Sequence, residues 1–134
     1  MEMLTRTILV LDPDAAVGAL VKTIIEENHG EHYRILTARS LAEAAKMLGG
    51  GELDLIVTEA LDQHSLFEFD DTFLVQLRSQ WLNTPIVLCS SYPSVESIRP
   101  GEYGLAEVVI KPFAVEELEK KVDRALAATN HRAR

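Results

Sequence analysis

The segment DLIVTEALD, residues 54–62, is the stretch on which the prediction of the fold depends. Its centre, Leu55, Ile56 and Val57, is a short apolar run, as expected of a strand that is buried on both faces of a sheet. An acid, Glu59, follows this strand almost directly. Because open α/β sheets bind ligands beyond the carboxyl ends of their strands, the segment predicts a buried strand that delivers a carboxylate to a site.

Strand-like and helix-like segments alternate along the rest of the chain. The predicted strands are residues 8–11, 33–38, 54–58, 85–89 and 107–110. Segments with apolar residues at helical spacing separate them, and the last helix is predicted at residues 115–127. This alternation predicts a parallel sheet that is covered by helices on both faces and connected by right-handed crossovers.

Helix start signals agree with these assignments. Asp14 is a plausible N-cap of the first helix. Ser40 and Glu43 have the spacing of a capping box for the second helix. Asp70 or Asp71 is expected to open the third, whose inward face includes the large apolar residues Phe73, Leu74, Leu77 and Trp81. Pro100 limits the fourth helix to barely two turns, since proline cannot continue a helix.

Composition excludes several classes of protein. The 134 residues are enough for one domain, predicted at residues 1–127, followed by a polar tail at residues 128–134. A formal net charge of −8 argues against nucleic-acid binding, because phosphates would be repelled. The single cysteine, Cys89, is predicted to be a core residue, and no apolar run is long enough for a signal peptide or a membrane span. A cytoplasmic location is expected.

Polar residues follow four of the five predicted strands. Asp12, Pro13 and Asp14 end the first strand, Glu59 ends the third, Ser90 the fourth and Lys111 the fifth. The carboxyl ends of parallel strands meet at one edge of a sheet. The sequence therefore predicts a site of acids, a hydroxyl and one lysine at that edge.

Four segments, in order, resemble those of response-regulator receiver domains, the signalling modules of two-component (phosphorelay) systems. They are ILVLDPD (residues 8–14), DLIVTEAL (54–61), TPIVLCSS (84–91) and VVIKPFAVEEL (108–118). The resemblance covers residues 7–126. It implies a flavodoxin-like, doubly wound sheet of five parallel strands in the order 2-1-3-4-5, with five helices around it.

The resemblance also implies roles for individual residues. Asp12 and Asp14 correspond to the acidic pocket, Glu59 to the phosphoacceptor, Ser90 and Lys111 to the groups that bind a phosphoryl oxygen, and Val108 to the switch aromatic. Three positions depart from the family: a Glu replaces the phosphoacceptor Asp, Val108 replaces a ring, and Pro13 stands where the second metal-binding acid belongs.

These departures have chemical consequences. Magnesium usually takes one or two carboxylates in near-ideal octahedral geometry, and Pro13 supplies no side-chain oxygen. We therefore expect weak or absent Mg²⁺ binding at Asp12 and no other cofactor. Glu59 carries one more methylene than an Asp, and a misplacement of about 1 Å can slow an in-line reaction about 100-fold.

The sequence accordingly predicts an atypical receiver that is not an enzyme and that binds proteins without being phosphorylated. Glu59 is expected to pair with Lys111, directly or through one water, at a partly exposed edge where such a pair adds about 0–1 kcal/mol. Expected partners are signalling proteins, such as a histidine kinase or an output domain. A homodimer through the fourth helix, strand five and the last helix is also predicted.

Three alternatives remain at this point. One is a conventional receiver that is phosphorylated despite these changes, and another is a receiver fold whose site is vestigial. The opening ILVLDPD also fits phosphatases of the haloacid-dehalogenase type, in which the first Asp is the nucleophile. Those enzymes need a further strand after the lysine, however, and only a helix is predicted after Lys111.

Overall fold

The computed structural model describes residues 6–132, and side chains as far as residue 128. It contains a five-stranded parallel sheet, four α-helices and two short 3-10 turns. The strands are β1 (Arg6–Leu11), β2 (Tyr33–Ala38), β3 (Leu55–Thr58), β4 (Ile86–Ser90) and β5 (Glu107–Ile110). The helices are α1 (Ala15–His29), α2 (Leu41–Leu48), α3 (Thr72–Gln80) and α4 (Val115–Arg132), and the turns are Pro93–Val95 and Glu102–Gly104.

The strand order is β2-β1-β3-β4-β5, which confirms the predicted topology. β1 and β3 lie at the centre, with Leu11 opposite Thr58, and β3 pairs with β4 so that Thr58 is opposite Leu88. β4 pairs with β5, and Ser90 is opposite Ile110. The residues that follow β1, β3 and β5 therefore emerge at the same edge of the sheet.

Each face of the sheet has its own hydrophobic core. On one face, α1 and α4 pack against the strand side chains that point to that face, such as Ile8 and Val57. On the other face, α2, α3 and the connection between β4 and β5 pack against residues such as Leu9 and Ile56. The third-helix residues that were predicted to point inward, Phe73, Leu74, Leu77 and Trp81, are all buried in this second core. Cys89 is also buried, as predicted.

The predicted helix starts are confirmed for α1 and α2. The Asp14 carboxylate accepts hydrogen bonds from the amides of residues 16 and 17. Ser40 Oγ accepts the amide hydrogen of Glu43 at 3.1 Å, and the Glu43 carboxylate accepts the amide hydrogen of the residue before Ser40. At the start of α3 the two candidates divide the role. Asp71 occupies the N-cap without a side-chain bond, whereas the Asp70 carboxylate accepts the amide hydrogen of Thr72 at 2.9 Å.

Two predictions about helices are wrong. Between β4 and β5 the described chain forms only the two 3-10 turns, so the predicted short fourth helix is missing. Pro93 begins the first turn and Pro100 separates it from the second, which leaves too few uninterrupted amides for an α-helix. The last helix continues to Arg132 rather than ending at Ala127, because no proline or glycine follows. No helix within residues 6–132 is long and apolar enough to cross a membrane.

Two phenylalanines of opposite exposure test this description of the core. Phe73 is 1% exposed and Phe67, in the loop before α3, is 84% exposed. We expect Phe73→Ala to lower the free energy of unfolding by about 3–5 kcal/mol, because it removes a buried ring and leaves a cavity. Phe67→Ala is expected to change it by less than about 0.5 kcal/mol. Urea unfolding followed by circular dichroism measures both, and equal losses would contradict the placement of α3.

Candidate functional site at the carboxyl edge of the sheet

The central strands place two acids side by side. Asp12 follows β1, and its amide donates a hydrogen bond to the carbonyl of residue 38 on β2. Glu59 follows β3, and its amide donates to the Leu11 carbonyl at 2.9 Å. Because β1 and β3 are adjacent, continued strand pairing fixes both backbones at the edge of the sheet. The site thus begins from two carboxylates on neighbouring strands.

A lysine from β5 joins the two acids. Lys111 Nζ donates to Asp12 Oδ2 at 2.7 Å and to Glu59 Oε1 at 2.9 Å. The predicted direct pair between Glu59 and Lys111 is present in the structure. The second bond, to Asp12, was not predicted from the sequence. The adjacency of β1 and β3 gives a signal for it, since a lysine that reaches the end of β3 is then also close to the end of β1.

Backbone amides hold the remaining carboxylate oxygens. Asp12 Oδ1 accepts the amide hydrogen of Asp14 at 2.9 Å. Glu59 Oε2 accepts the amide hydrogen of Ala60 at 2.6 Å. Each of the four carboxylate oxygens therefore has a hydrogen-bond donor from the protein itself. Hydrogen bonds to a carboxylate are among the stronger ones in proteins, so the arrangement holds both side chains in fixed positions.

The two acids of this cluster are buried and its lysine is largely buried, which corrects the expectation of a partly exposed edge. The side chains of Asp12, Glu59 and Lys111 are 7%, 9% and 14% exposed. Burial lowers the pKa of Lys111, but the hydrogen bonds and charges of Asp12 and Glu59 outweigh it, and the pKa lies above its ordinary value of 10.5. The interaction is therefore that of a desolvated pair, whose disruption costs far more than that of a surface pair.

The other predicted site residues lie near the cluster but do not join it. The Asp14 side chain caps α1. Ser90 is fully buried at the end of β4, and its Oγ accepts the amide hydrogen of Tyr92 at 3.0 Å. Val108 is 6% exposed and belongs to the core beneath α3. Burial also raises the pKa of the Cys89 thiol to about 12, so this thiol is not a nucleophile at neutral pH.

The residues at this edge do not fit a divalent cation as they are arranged. Both acids direct one oxygen to the Lys111 ammonium and the other to a backbone amide, so a metal would have to displace these donors. Pro13 adds no side-chain oxygen. Among residues 6–132, no three His, Cys, Asp or Glu side chains are grouped closely enough to hold a metal ion.

Comparisons with known proteins agree with this geometry, although no family model matches the chain. It is 29% identical over 129 residues to the DNA-binding transcriptional regulator NtrC of Bradyrhizobium sp. (strain RP501 Parasponia). That match covers 94% of this chain and 25% of the relative, so the chain spans about a quarter of the length of the curated protein that it resembles.

Solved structures show the same fold. The receiver domain of the Francisella response regulator 1452 is 26% identical, with a TM-score of 0.69 and coverage of 92% of this chain and 98% of that one. A CheY-like receiver domain protein from Methanospirillum hungatei JF-1 is 19% identical, with a TM-score of 0.74 and coverage of 96% and 99%. NtrX from Brucella abortus is 21% identical, with a TM-score of 0.77 and coverage of 97% and 29%.

The strand order and the position of the polar residues are those of a flavodoxin-like, doubly wound α/β domain with a site at the carboxyl edge of the sheet. In sequence the chain is similar to NtrC over 94% of its length and to the Francisella receiver domain over 92%. The four sequence segments resemble the same class of domain.

The Lys111 bridge can be tested through stability. We expect Lys111→Met to lower the free energy of unfolding by about 3 kcal/mol or more, because two buried carboxylates lose their cation. Lys22→Met is the matched control. Lys22 Nζ lies 3.9 Å from Glu26 Oε2 on the exposed side of α1. Loss of this ammonium is expected to lower the free energy of unfolding by less than about 0.5 kcal/mol.

The loss of stability in Lys111→Met should depend on pH, and the pKa of Lys111 sets the direction of this dependence. The folded-state pKa of Lys111 is raised above 10.5, so its stabilisation is present below the unfolded value and is lost as the pH rises through the folded value. The difference in stability between the wild type and Lys111→Met should hold at neutral pH and narrow above about pH 10.5. A difference that is small at neutral pH, or that grows in alkali, would contradict the bridge.

Proposed function

We propose that this chain is a receiver module that binds signalling partners without being phosphorylated. The observation that supports the proposal is the Lys111 bridge, in which one buried ammonium is shared by Asp12 and Glu59. In a phosphorylated receiver this edge would have to accept a phosphoryl group and its counter-charge. Here the available cation and the carboxylate oxygens are already paired with one another.

The chemistry of Glu59 supports the same conclusion. A carboxylate that attacks phosphorus in line needs a free oxygen at near-attack distance from the donor. Both oxygens of Glu59 accept hydrogen bonds, one from Lys111 and one from the amide of Ala60. Attack by either oxygen would break a charge-assisted or a short backbone bond in a buried site. Such rearrangement raises the barrier for phosphotransfer, because no new interaction replaces the broken bond before the product forms.

Glu59 is also a partial substitute for the phosphorylated state. It brings one negative charge to Lys111, whereas a phosphate monoester brings about two at neutral pH. Val108 has no ring that turns between inward and outward rotamers, and it is buried in the core. We therefore propose a domain that holds one arrangement of its output face rather than switching between two.

The partners that this function implies are proteins of a two-component pathway, in the cytoplasm. A histidine kinase, an output domain or a second copy that binds through the β4–β5 connection, β5 and α4 would each fit the module. The relative NtrC is named as a DNA-binding protein. We do not assign that activity to this segment, because its net charge of −8 opposes contact with phosphates.

Exposure to a phosphoryl donor tests the proposal directly. Incubation of the protein with acetyl phosphate and magnesium should leave its intact mass unchanged, because Glu59 is held by Lys111 and Ala60. The companion variant combines Pro13→Asp with Glu59→Asp, which restores a second acid and shortens the nucleophile. We expect intact-mass spectrometry to show the gain of one phosphoryl group in this variant only.

Two results would contradict the proposal. A phosphoryl adduct on Glu59 of the wild type would favour a conventional phosphorylated receiver. Hydrolysis of a generic aryl phosphate in the presence of magnesium would favour the phosphatase alternative, although no strand follows Lys111 in the part of the chain that the structure describes.

A further inference from the structure

Several exposed apolar side chains lie on α3 or near it in the chain, and three of them line one groove. Eight large hydrophobic residues are exposed among the described side chains. Five of them lie in the loop before α3, on α3, just after its end or on the second 3-10 turn: Leu66, Phe67, Val75, Leu82 and Tyr103. Single exposed apolar residues are ordinary, but a cluster of them indicates a surface that another molecule covers.

Within this region a groove runs between α3 and the second 3-10 turn. Its volume is about 390 Å³, and we call it the α3 groove. Leu74, Val75, Leu82 and Tyr103 form its apolar walls, and Asp71 and Ser79 lie among its polar lining. Val75 and Leu82 are 60% and 71% exposed, so nothing within the described chain covers these walls.

The groove has a topological origin. The connection from β4 to β5 lies on the same face of the sheet as α3, since Val95, Ile98 and Leu105 share a core with Phe73. In a doubly wound fold this connection is ordinarily a helix that packs beside its neighbour. Here it is reduced to two 3-10 turns, which leaves one flank of α3 without a helical neighbour.

The walls of the groove are held in place by local contacts. The Arg78 guanidinium donates to the carbonyls of Trp81, Thr84 and Gly104, which ties the end of α3 to the second turn. Tyr103 has a φ of 55°, in the left-handed region that residues other than glycine rarely adopt. Its ring packs against Phe69 with 5.0 Å between centroids. A groove that is formed in advance loses little entropy when it binds.

The charge around the groove selects the kind of partner. The loop before α3, residues 62–71, contains four Asp and Glu residues and no Lys or Arg, and its Phe69 packs against Tyr103 of the groove. Glu102 adds another acid beside Tyr103. Arg78 is the single Lys or Arg of the groove lining, and its guanidinium is directed at backbone carbonyls. Asp71 in the lining, Glu102 next to Tyr103 and the acids of the adjoining loop make this side of the groove negative, which complements a basic surface.

We propose that the α3 groove binds an amphipathic helix of a partner protein, with an apolar stripe against Val75, Leu82 and Tyr103 and with Lys or Arg on its flanks. Helices commonly bind in this way, with apolar residues at helical spacing lying in a preformed groove. This inference rests on the proposed function, since it names the surface and the partner class of a module that acts by binding. It places that surface on α3 rather than on β5 and α4.

Two synthetic helical peptides of about 14 residues, both with Leu at positions i, i+3, i+4 and i+7, serve as probes. One carries Lys at the flanking positions and the other carries Glu. The wild-type protein is titrated with each peptide while its amide resonances are recorded, without acetyl phosphate or magnesium. We expect the Lys peptide to give saturable shifts at α3 and residues 101–105, and the Glu peptide to give none.

Matched variants locate the site. Val75→Lys places a like charge in the groove wall and is expected to weaken binding of the Lys peptide by about tenfold or more. Leu20→Lys makes the same change on α1, where Leu20 is 54% exposed, and is expected to alter binding by less than about twofold. Circular dichroism checks that both variants fold.

The outcomes separate this inference from the proposed function. Absence of saturable binding, equal binding of both peptides, or shifts confined to β5 and α4 would each overturn the groove assignment. A dimer in sedimentation that Val75→Lys dissociates would assign the groove to a second copy and overturn the partner helix. Binding of the Lys peptide in the groove only after acetyl phosphate and magnesium are added would retain the groove and contradict phosphorylation-independent function.

Discussion

A buried ammonium shared between two carboxylates fixes the carboxyl edge of this sheet. Desolvation of three charges is expensive, and it is tolerated here because every oxygen of Asp12 and Glu59 accepts a bond and because Lys111 lies within 2.9 Å of both acids. Each partner comes from a different strand. The interaction therefore joins β1, β3 and β5 at one point, and it decides what this edge can bind. An incoming cation or anion has to compete with an ion that belongs to the protein.

Most of the fold follows from hydrophobic period and from turn chemistry. The continuous apolar runs at β1, β3 and β4 indicate strands that are buried on both faces, and the structure buries every residue of β3 and β4. Asp14 and Ser40 locate two helix starts because capping depends on a few residues that are near in sequence. Two boundaries differ. At Ala127 no proline or glycine stops the last helix, and after β4 Pro93 and Pro100 leave too short a stretch for the predicted helix.

The candidate site was predictable in its membership but not in its arrangement. Strand ends gave Asp12, Glu59, Ser90 and Lys111, because parallel strands bring their carboxyl ends to one edge. The bond between Lys111 and Asp12 could not be predicted from the sequence, because the reach of the lysine side chain across β4 and β3 depends on its rotamer and on packing. Burial of the cluster was misjudged for the same reason. Neither the exposure of Val75 nor the groove beside α3 could be predicted from the sequence, because both depend on the absence of an α-helix between β4 and β5.

The absence of Lys and Arg from residues 47–77 has a kinetic consequence. Glu59 is paired with Lys111, but four of the other acids, at residues 62–71, lie in the loop before α3 and make that region a source of negative potential, in a chain whose net charge is already −8. Such a field extends roughly 8 Å at physiological ionic strength, beyond the range of any contact described above. A cationic surface that diffuses nearby is therefore drawn in and oriented before it touches the protein. Association would be fast in dilute buffer and would slow as salt is added, while the dissociation rate, which depends on short-range packing, would change much less.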